Sequence, residues 1–304
     1  MKRGRGQNIL WRLEVWAFDG FCAIMRALGL DRASAFGGWL LRQLGPLTKT
    51  HHVARLNMQM VWPDIDDQTL NTRLDAAWDN LGRTFAEFPL TDQLVPYVPD
   101  ARVAVEGAEH LDAVRDSGRG AVFVSGHFAN WEVMAAAIVK RGVKCQVTYR
   151  PTNNPYVDQR IVQSRQKYGI ALFAPKGRDG AQDLMKALRA GECIAIMNDQ
   201  KFNRGVPTQF FGHTVETAPG ASRLALKFDV PIVPLSVRRT DGARFVVTVH
   251  PPLEIPRTGD RTHDIEASVQ IITDFIAARI EDNPAQWFWV HKRWPNPVYK
   301  QDAS

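Results

Sequence analysis

The stretch SGHFANWEVM, residues 125–134, places a histidine and a glutamate five positions apart, directly after an apolar run. On one continuous α-helix, residues with this spacing are separated by about 140° around the axis and cannot face each other. The spacing therefore predicts that His127 lies in a turn between a strand and a helix, with Glu132 in the first turn of that helix. In that arrangement a carboxylate on one imidazole nitrogen raises the basicity of the other nitrogen. The residues then have the chemistry of a general base.

The predicted position of this turn also favours a catalytic role for the two residues. A helix N-terminus presents free backbone amides that can stabilise an oxyanion, and open α/β sheets bind ligands at the carboxyl ends of parallel strands. A plainer interpretation also exists, because a histidine at a strand end is more often structural. A glutamate is likewise favourable at a helix N-terminus through the helix dipole alone.

Two further groups of polar residues follow predicted strands. Arg150 comes directly after the run CQVTY, and its planar guanidinium suits phosphate oxygens or an acidic carrier protein. Asp199 and Gln200 follow the run CIAIM and would lie on the same rim as His127 in a parallel sheet. These two residues either bind substrate and shape the site or cap a loop. A solvated surface arginine is the alternative for Arg150.

Asn80, Arg83 and Glu87 share one face at helical spacing. We interpret this face as structural support, with Arg83 as a secondary candidate for substrate binding. The histidine pair at 51–52 has no metal-site spacing and no matching cluster elsewhere in the sequence, so no metal site is predicted.

The elements that must position these residues change type near residue 101. Periodic apolar segments predict helices over residues 9–29, 32–44, 50–61 and 67–89. Beyond that point, short apolar runs alternate with helical patterns, which indicates a mostly parallel central sheet with helices on both faces. The expected organisation is a helical N-terminal region, residues 1–100, and an α/β body, residues 101–304. The predicted strands are 121–125, 145–149, 170–174, 193–197, 231–237 and 244–250, and the helices of the body are 130–141, 155–168, 179–190, 219–228 and 263–281.

Composition limits the class of partner. The net charge of +6 and the isoelectric point of about 9.3 indicate an anionic partner, such as a membrane surface or a phosphorylated substrate. The basic residues are dispersed and no RNA- or DNA-binding motif is present, so no nucleic acid is expected. The sequence contains no GxSxG motif, so serine-hydrolase chemistry has no support. The three cysteines are widely spaced, and no disulfide is predicted.

Residues 10–28 carry one apolar stripe at helical spacing, interrupted elsewhere on the helix by charges such as Arg12, Glu14 and Asp19. The interruptions argue against a spanning helix. With Lys2, Arg3 and two tryptophans nearby, the pattern predicts a helix lying in a bilayer interface. Packing of the stripe on the protein's own core is the alternative.

The HxxxxE pattern resembles the HxxxxD/E motif of the lysophospholipid acyltransferase superfamily. Other motifs, in order along the chain, resemble the bacterial lipid A late acyltransferases, the lauroyl/myristoyl branch. The glycerol-phosphate branch would carry an FPEGTR-like third motif, where this sequence has MNDQKFNRG. The motifs that carry the resemblance are NLGRTFAEF (80–88), HFANWE (127–132), YRPTNNPYVD (149–158), NDQ (198–200), PTQFFG (207–212), VPIVPLSVRR (230–239) and PAQWFWVHKRW (284–294).

The resemblance implies transfer of a fatty acyl chain from an acyl carrier protein thioester to a hydroxyl of a 3-hydroxyacyl chain on a lipid A precursor. It implies a peripheral location on the cytoplasmic face of the bacterial inner membrane, and no metal or organic cofactor. His127 would be the base and Glu132 the residue that orients it. Acceptors such as a lysophospholipid, an ornithine lipid or a glycolipid, coenzyme A as the donor, and a non-catalytic binding module remain open. The candidate substrate-binding residues are Arg83, Asn130, Arg150, Asp199 and Gln200.

Two aromatic groups have alternative roles. Phe202, Phe210 and Phe211 either line an acyl channel or pack in the core. The tail, with Trp287, Phe288, Trp289 and Trp294, fits either anchoring at headgroup level or a lid packed on the α/β body.

Overall fold

The chain begins with helices and continues as alternating strands and helices in the computed structural model, which describes residues 5–167, 169–170, 173–175 and 178–299. Lys2 and Arg3, which were expected beside lipid headgroups, lie outside the described residues, as does part of the strand predicted over 170–174. The helices are α1 (Arg5–Leu28), α2 (Leu30–Leu44), α3 (Lys49–Val61), α4 (Asp67–Glu87), α5 (Ala108–Ser117), α6 (Glu132–Lys140), α7 (Pro155–Lys167), α8 (Arg178–Arg189), α9 (Gly220–Phe228) and α10 (Arg261–Asp282). The strands are β1 (Val103–Glu106), β2 (Val122–Ser125), β3 (Cys145–Tyr149), β4 (Phe173–Pro175), β5 (Cys193–Met197), β6 (Val206–Phe210), β7 (His213–Thr217), β8 (Ile232–Asp241) and β9 (Arg244–Val249).

The central sheet has the strand order β1-β9-β8-β2-β5-β3-β4. Strands β8, β2, β5, β3 and β4 run parallel, while β9 is antiparallel to β8 and β1 pairs with β9 in parallel. The predicted α/β class with a mostly parallel sheet is therefore confirmed. Strand β2 is buried along its whole length, as expected of a central strand covered on both faces.

Two features were not predicted from the sequence. The segment β1–α5 precedes the first predicted strand, and β6 with β7 forms a separate antiparallel hairpin. In β6 the buried residues Val206, Thr208 and Phe210 alternate with the exposed Pro207 and Gln209, the pattern of a half-buried strand. The proline within the run obscured this alternation, because proline usually marks the end of a strand.

Helices α2 and α4 pack closely because two glycines meet at their crossing. A Cβ atom built on Gly37 would lie 2.4 Å from the carbonyl oxygen of Gly82, and one built on Gly82 would lie 2.0 Å from that of Gly37. Only glycine on both helices permits backbones this close. The crossing brings the C-terminal end of α4 against α2 and toward the sheet.

The helical region and the sheet share one core. A continuous cluster of buried apolar residues includes Met58 and Leu74 of the helices, Val124 of β2, and Trp289 and Trp294 of the tail. The tail tryptophans are buried rather than exposed to a headgroup layer, so the packed-lid alternative for this segment is confirmed.

Candidate functional site

The turn between β2 and α6 is held in an unusual backbone conformation. Ala129 has a φ of 39°, a left-handed value that costs a non-glycine residue roughly 1 kcal/mol or more. Its N–H donates to the carbonyl of Gln286 at 2.7 Å, and its carbonyl accepts from the hydroxyl of Thr84 at 2.9 Å. Phe128 forms an isolated antiparallel bridge with Trp287. Contacts from outside the turn therefore hold His127 and Glu132 in place, as the five-residue spacing required.

His127 is paired with Asp199. Its ring Nδ1 lies 2.7 Å from Oδ1 of Asp199, and its backbone N–H donates to Oδ2 of the same carboxylate at 2.7 Å. The indole N–H of Trp287 also donates to Oδ2, at 2.9 Å. Asp199 is only 2% exposed. A buried carboxylate with this set of donors fixes the imidazole and leaves Nε2 as the nitrogen that can accept a proton.

Asp199 is kept ionised by its partners. Burial alone raises the pKa of a carboxyl, but the charge of protonated His127 and the hydrogen bonds from His127 and Trp287 outweigh it. The net effect lowers the pKa of Asp199 below its ordinary value of 3.8. The imidazole therefore faces a negative charge throughout the physiological pH range.

Strand register explains why these two residues meet. In the parallel pair β2–β5, Ser125 lies opposite Met197, so the residues two positions beyond each strand are also neighbours. These are His127 and Asp199. The two residues lie on the same rim of the sheet, as expected from the sequence. Asp199 contacts the imidazole but does not line the cavity described below.

Glu132 has a different partner from the one expected. Its carboxylate accepts from Arg165 of α7, with Oε1 to Nη2 at 2.6 Å and Oε2 to Nε at 2.9 Å. The carboxylate that contacts Nδ1 of His127 is that of Asp199. The physical reason is that Asp199 extends from the adjacent strand end, whereas Glu132, the first residue of α6, forms a two-pronged pair with a helix packed over it.

A cavity of about 480 Å³ opens beside this turn. Its polar wall combines His127, the Glu132–Arg165 ion pair and residues at the rim of the sheet, and its apolar wall lies between α6, α7 and the sheet. The polar residues include His127, Glu132, Arg150, Arg165, Gln200 and His291, and the apolar ones include Val124, Met134, Ile138, Val147, Ile161 and Leu235. The combination suits a ligand with a reactive polar end and an apolar body.

Aromatic side chains fix the imidazole from its other sides. The ring of Trp131 lies edge-on at 5.2 Å between centroids, and the ring of Phe288 lies at 5.9 Å. The side chain of His127 is 16% exposed. It is therefore accessible from the cavity while its neighbours exclude most of the solvent.

The remaining predicted binding residues separate into two groups. Arg150 and Gln200 line the cavity, and Arg150 is exposed at its edge. Arg83 instead lines a separate cleft of about 470 Å³ and pairs with Asp79 of its own helix at 2.5 Å. Asn130 is fully buried and donates to Glu87, so it faces the helical region and not the cavity. Neither Arg83 nor Asn130 therefore lies on the wall of the cavity beside His127.

The phenylalanines proposed for an acyl channel do not line the cavity. Phe210 is buried and packs against Phe211, Trp287 and Trp294, which is the core alternative. Phe202 is exposed. The apolar wall comes instead from the sheet and from α6 and α7.

Arg165 was missed from the sequence. A signal was present, since Asp158, Ile161 and Arg165 recur at three- and four-residue spacing along α7 and all line the cavity. This face could not be assigned to a site until the helix packed beside α6 was known. Among the described residues, no group of histidine, cysteine or acidic side chains could hold a metal ion.

Arg293 places a further positive charge behind Asp199. Its guanidinium is buried and donates to the carbonyl of Glu216 at 3.0 Å and to the hydroxyl of Thr217 at 2.7 Å. Burial lowers the pKa of Arg293 to about 10, an effect that the charge of Asp199 partly offsets. The C-terminal segment therefore contributes both Trp287 and the buried cation Arg293 to the surroundings of the His127–Asp199 pair.

Comparisons with known proteins agree with the motifs. A phosphatidylinositol mannoside acyltransferase of Mycobacterium tuberculosis is 25% identical over 193 residues, which are 62% of this chain and 59% of that protein. The Escherichia coli K12 lipid A biosynthesis palmitoleoyltransferase is 23% identical over 82% of this chain and 79% of its own length. The lipid A biosynthesis lauroyltransferase of the same organism is 24% identical over 80% of this chain and 78% of its own length. The family described as bacterial lipid A biosynthesis acyltransferase matches residues 4–296. The chain therefore belongs to the bacterial lipid A biosynthesis acyltransferase family.

Proposed function

We propose that the protein transfers a fatty acyl chain from an acyl carrier protein thioester to the hydroxyl of a 3-hydroxyacyl chain on a lipid A precursor. The observation that carries this proposal is that His127, whose imidazole is paired with Asp199, lies on the wall of a cavity with an apolar interior. Family membership supports the reaction class. The donor and the acceptor are those that membership of this family implies.

In the proposed mechanism, Nε2 of His127 removes the proton of the acceptor hydroxyl. The oxygen forms a bond to the thioester carbonyl carbon, and the carbonyl electron pair moves onto its oxygen. Collapse of this intermediate restores the carbonyl, breaks the carbon–sulfur bond and releases the thiolate, which takes the proton from His127. A positioned base contributes roughly 10²–10⁴-fold to the rate of such a reaction.

Glu132 and Arg165 act together in this proposal. Their ion pair is largely shielded from solvent, with exposed side-chain fractions of 9% and 17%, and both residues line the cavity beside His127. The guanidinium supplies positive charge near the reacting carbonyl, where negative charge develops on oxygen. Glu132 fixes the guanidinium plane by binding two of its nitrogens.

The acyl chain of the donor would occupy the apolar part of the cavity. Its volume of about 480 Å³ lies within the range of roughly 300–1,000 Å³ that ligand pockets occupy. Arg150 and Gln200 at the polar wall would contact the acceptor or the carrier prosthetic group, since a guanidinium binds phosphate oxygens in two-pronged fashion.

We further propose that the protein works as a peripheral protein on the cytoplasmic face of the bacterial inner membrane. Within the described residues, no helix is long and apolar enough to span a bilayer. Large apolar side chains are exposed along α1 and α2, which pack on each other. This α1–α2 surface comprises Ile9, Leu10, Leu13, Trp16, Ile24, Phe36, Trp39, Leu44 and Leu47.

Charge and position support the membrane proposal. Arg12, Arg42 and Lys49 are exposed on or directly after the same helices, where they can face anionic headgroups. Helix α1 also contacts α7, which contributes Asp158, Ile161 and Arg165 to the cavity wall. The amide of Asn154 donates to the carbonyl of Trp11 at 2.9 Å, and α7 pairs with α1 through Arg160 and Asp19 at 3.0 Å. A lipid acceptor could then enter the cavity from the bilayer.

A second candidate acceptor is a glycolipid. It is favoured by the similarity to the mycobacterial phosphatidylinositol mannoside acyltransferase, which shares 25% identity over 62% of this chain. The base, the ion pair and the apolar wall would serve either acceptor, because both reactions acylate a hydroxyl. The acceptor headgroup alone would differ.

A transfer assay tests these proposals directly. Acyl carrier protein and coenzyme A thioesters carrying a labelled acyl chain are each offered with a lipid A precursor, a lysophospholipid and a phosphatidylinositol mannoside. Wild type is compared with folded His127→Ala and Glu132→Ala variants. We expect label on the lipid A precursor with the carrier protein thioester and almost none with His127→Ala. Transfer only to the mannoside would select the second candidate, and wild-type activity in folded His127→Ala would refute the mechanism.

A further inference from the structure

A buried polar cluster lies behind the β2–α6 turn, on the side opposite the cavity. We name it the clamp cluster, and it consists of Thr84 and Glu87 of α4, Asn130 of the turn and Arg239 of β8. Thr84, Glu87 and Asn130 are buried, and the side chain of Arg239 is 8% exposed. None of the four lines the cavity. The cluster joins the helical region, the catalytic turn and the sheet at one point.

Glu87 is the centre of the cluster. Its Oε2 accepts from the side-chain amide of Asn130 at 2.9 Å and from Nη2 of Arg239 at 3.0 Å. Its Oε1 accepts from the hydroxyl of Ser34 at 2.7 Å and forms an ion pair with Nη1 of Arg239. The carboxylate thus has donors on both oxygens and one balancing positive charge, the condition under which a buried ion pair is tolerated.

Glu87 determines which way the amide of Asn130 points. An ionised carboxylate only accepts hydrogen bonds, so the NH₂ of Asn130 must face it. The amide oxygen is then directed to the other side, where it accepts from the backbone N–H of Glu132 at 3.3 Å. This contact caps the first residue of α6. The orientation of one buried amide therefore links the end of α4 to the residue that holds Arg165.

The same cluster stabilises the strained residue next to His127. Thr84 donates to the carbonyl of Ala129, whose φ is 39°. It also contacts Nη2 of Arg239 at 3.2 Å. Asp199 fixes His127 from the sheet side, while the clamp cluster holds Ala129 and Asn130 from the helical side. Apolar side chains of similar volume are often as stable as a buried ion pair, so the cluster is better explained by the geometry that it imposes than by stability.

We propose that Asn130 is a positioning residue for the reaction and that Glu87, with Arg239, sets its orientation. The helical region then contributes to the catalytic rate by fixing the geometry of the HxxxxE turn. This inference rests on the proposed role of His127 as the base. A misplacement of about 1 Å at a reacting group costs roughly 10²-fold in rate, so small changes in the cluster have measurable effects on kcat.

A charge-swapped pair tests the proposal. Asn130→Asp sets two carboxylates against each other, and Glu87→Gln replaces the acceptor-only carboxylate with an amide that can face Asn130 with either its NH₂ or its oxygen. The double variant Glu87→Gln/Asn130→Asp restores one amide facing one carboxylate with reversed polarity, and it restores the charge balance with Arg239. We expect each single variant to lose roughly 10–100-fold in kcat with little change in KM. The double variant should recover most of that loss.

A matched pair of threonines separates positioning from stability. Thr84 and Thr273 are both buried, and the hydroxyl of each lies within hydrogen-bond distance of the carbonyl four residues earlier in its helix. Only Thr84 also reaches the turn. Thr84→Val should lower kcat, whereas Thr273→Val should change only the free energy of unfolding.

The possible results distinguish failure of the positioning role from failure of the proposed function. Wild-type kcat in folded Asn130→Asp, or equal kcat for the two threonine variants, would overturn the positioning role. An active His127→Ala protein would instead overturn the proposed function itself. If Asn130→Asp does not fold, the double variant and Thr84→Val carry the test, since the positioning role requires rescue by the first and a lower kcat in the second.

Discussion

At the scale of single residues, the proposed base His127 is paired with Asp199. The carboxylate is buried and binds Nδ1 and the backbone N–H of His127 as well as the indole of Trp287. We predict that Asp199→Asn lowers kcat by roughly 10²–10⁴-fold, because a neutral amide cannot hold the imidazole in its basic tautomer. Steady-state transfer kinetics on folded protein provide the measurement.

Asp64→Asn is the matched control, because this aspartate is exposed on the loop between α3 and α4. It should leave both kcat and KM unchanged. Activity of Asp199→Asn close to that of wild type would mean that Glu132, and not Asp199, activates the imidazole.

The lowered pKa of Asp199 also predicts how stability depends on pH. Because the folded protein holds this carboxyl at a pKa below its ordinary 3.8, the unfolded chain binds more protons between the two values. The stabilising contribution is therefore complete above about pH 4 and is lost as the pH falls toward the folded pKa. Denaturant titrations of wild type and Asp199→Asn should show a difference in the free energy of unfolding that shrinks below about pH 4.

Other carboxyl groups titrate in both proteins and cancel in that difference. A difference that stays constant as the pH is lowered through this range would contradict the prediction. It would show that Asp199 gains no stabilisation from its donors in the folded state.

At the scale of elements, part of the site could be predicted because it depends only on strand ends. The pattern of residues 121–132 required a strand, a turn and a helix, and a parallel sheet placed Asp199 on the same rim as His127. The partner of the imidazole depends on strand order, since β5 and not another strand lies beside β2 in the required register. No local pattern determines that order.

The contributions of helices could not be derived in the same way. Arg165 reaches Glu132 because α7 packs near α6, and Asn130 turns away from the cavity because α4 offers Glu87. Each contact joins residues more than thirty positions apart in the chain. Helical spacing showed which residues share a face but not which element that face meets.

The crossing of α2 and α4 supports the site from a distance, and it leads to a test at the element scale. A methyl group added at Gly82 would meet the backbone of Gly37, which cannot yield as a flexible side chain could. Gly82→Ala should therefore lower the free energy of unfolding by about 1–3 kcal/mol. Because the crossing carries Glu87 toward the turn, kcat should also fall in this variant.

Gly20 offers the matched control. It lies on the exposed side of α1, and a methyl group there would meet no atom within 4 Å. Gly20→Ala should raise stability by about 0.5–1 kcal/mol through helix propensity alone. Equal effects of the two substitutions in chemical denaturation would show that the crossing is not as close as described.

At the scale of the whole molecule, the exposed apolar side chains are concentrated on the first two helices. Trp16 is 69% exposed, Trp39 is 55% exposed and Leu47 is 81% exposed, while Trp11 and Val15 of α1 face the core. A soluble surface rarely presents so many large apolar groups together. The basic residues nearby complement the anionic surface of a membrane.

We predict that the double variant Trp16→Ser/Trp39→Ser binds vesicles containing phosphatidylglycerol at least about 100-fold more weakly, since each buried aromatic side chain contributes roughly 1.5–3 kcal/mol and about 1.4 kcal/mol is tenfold in affinity. Cosedimentation measures the binding. Val98→Ser is the matched control. Val98 is also exposed, but it lies outside the α1–α2 surface, in the segment between α4 and β1. It should leave vesicle binding unchanged.

Turnover measurements distinguish a surface that binds the membrane from one that only supports the fold. Neither tryptophan lines the cavity, so kcat with a detergent-dispersed acceptor should equal that of wild type in the double variant. With the acceptor embedded in vesicles, KM should rise in proportion to the loss of binding, because the acceptor is then reached only from the bilayer. Loss of activity in both assays would instead show that α1 acts on the site through the contacts of Asn154 and Arg160.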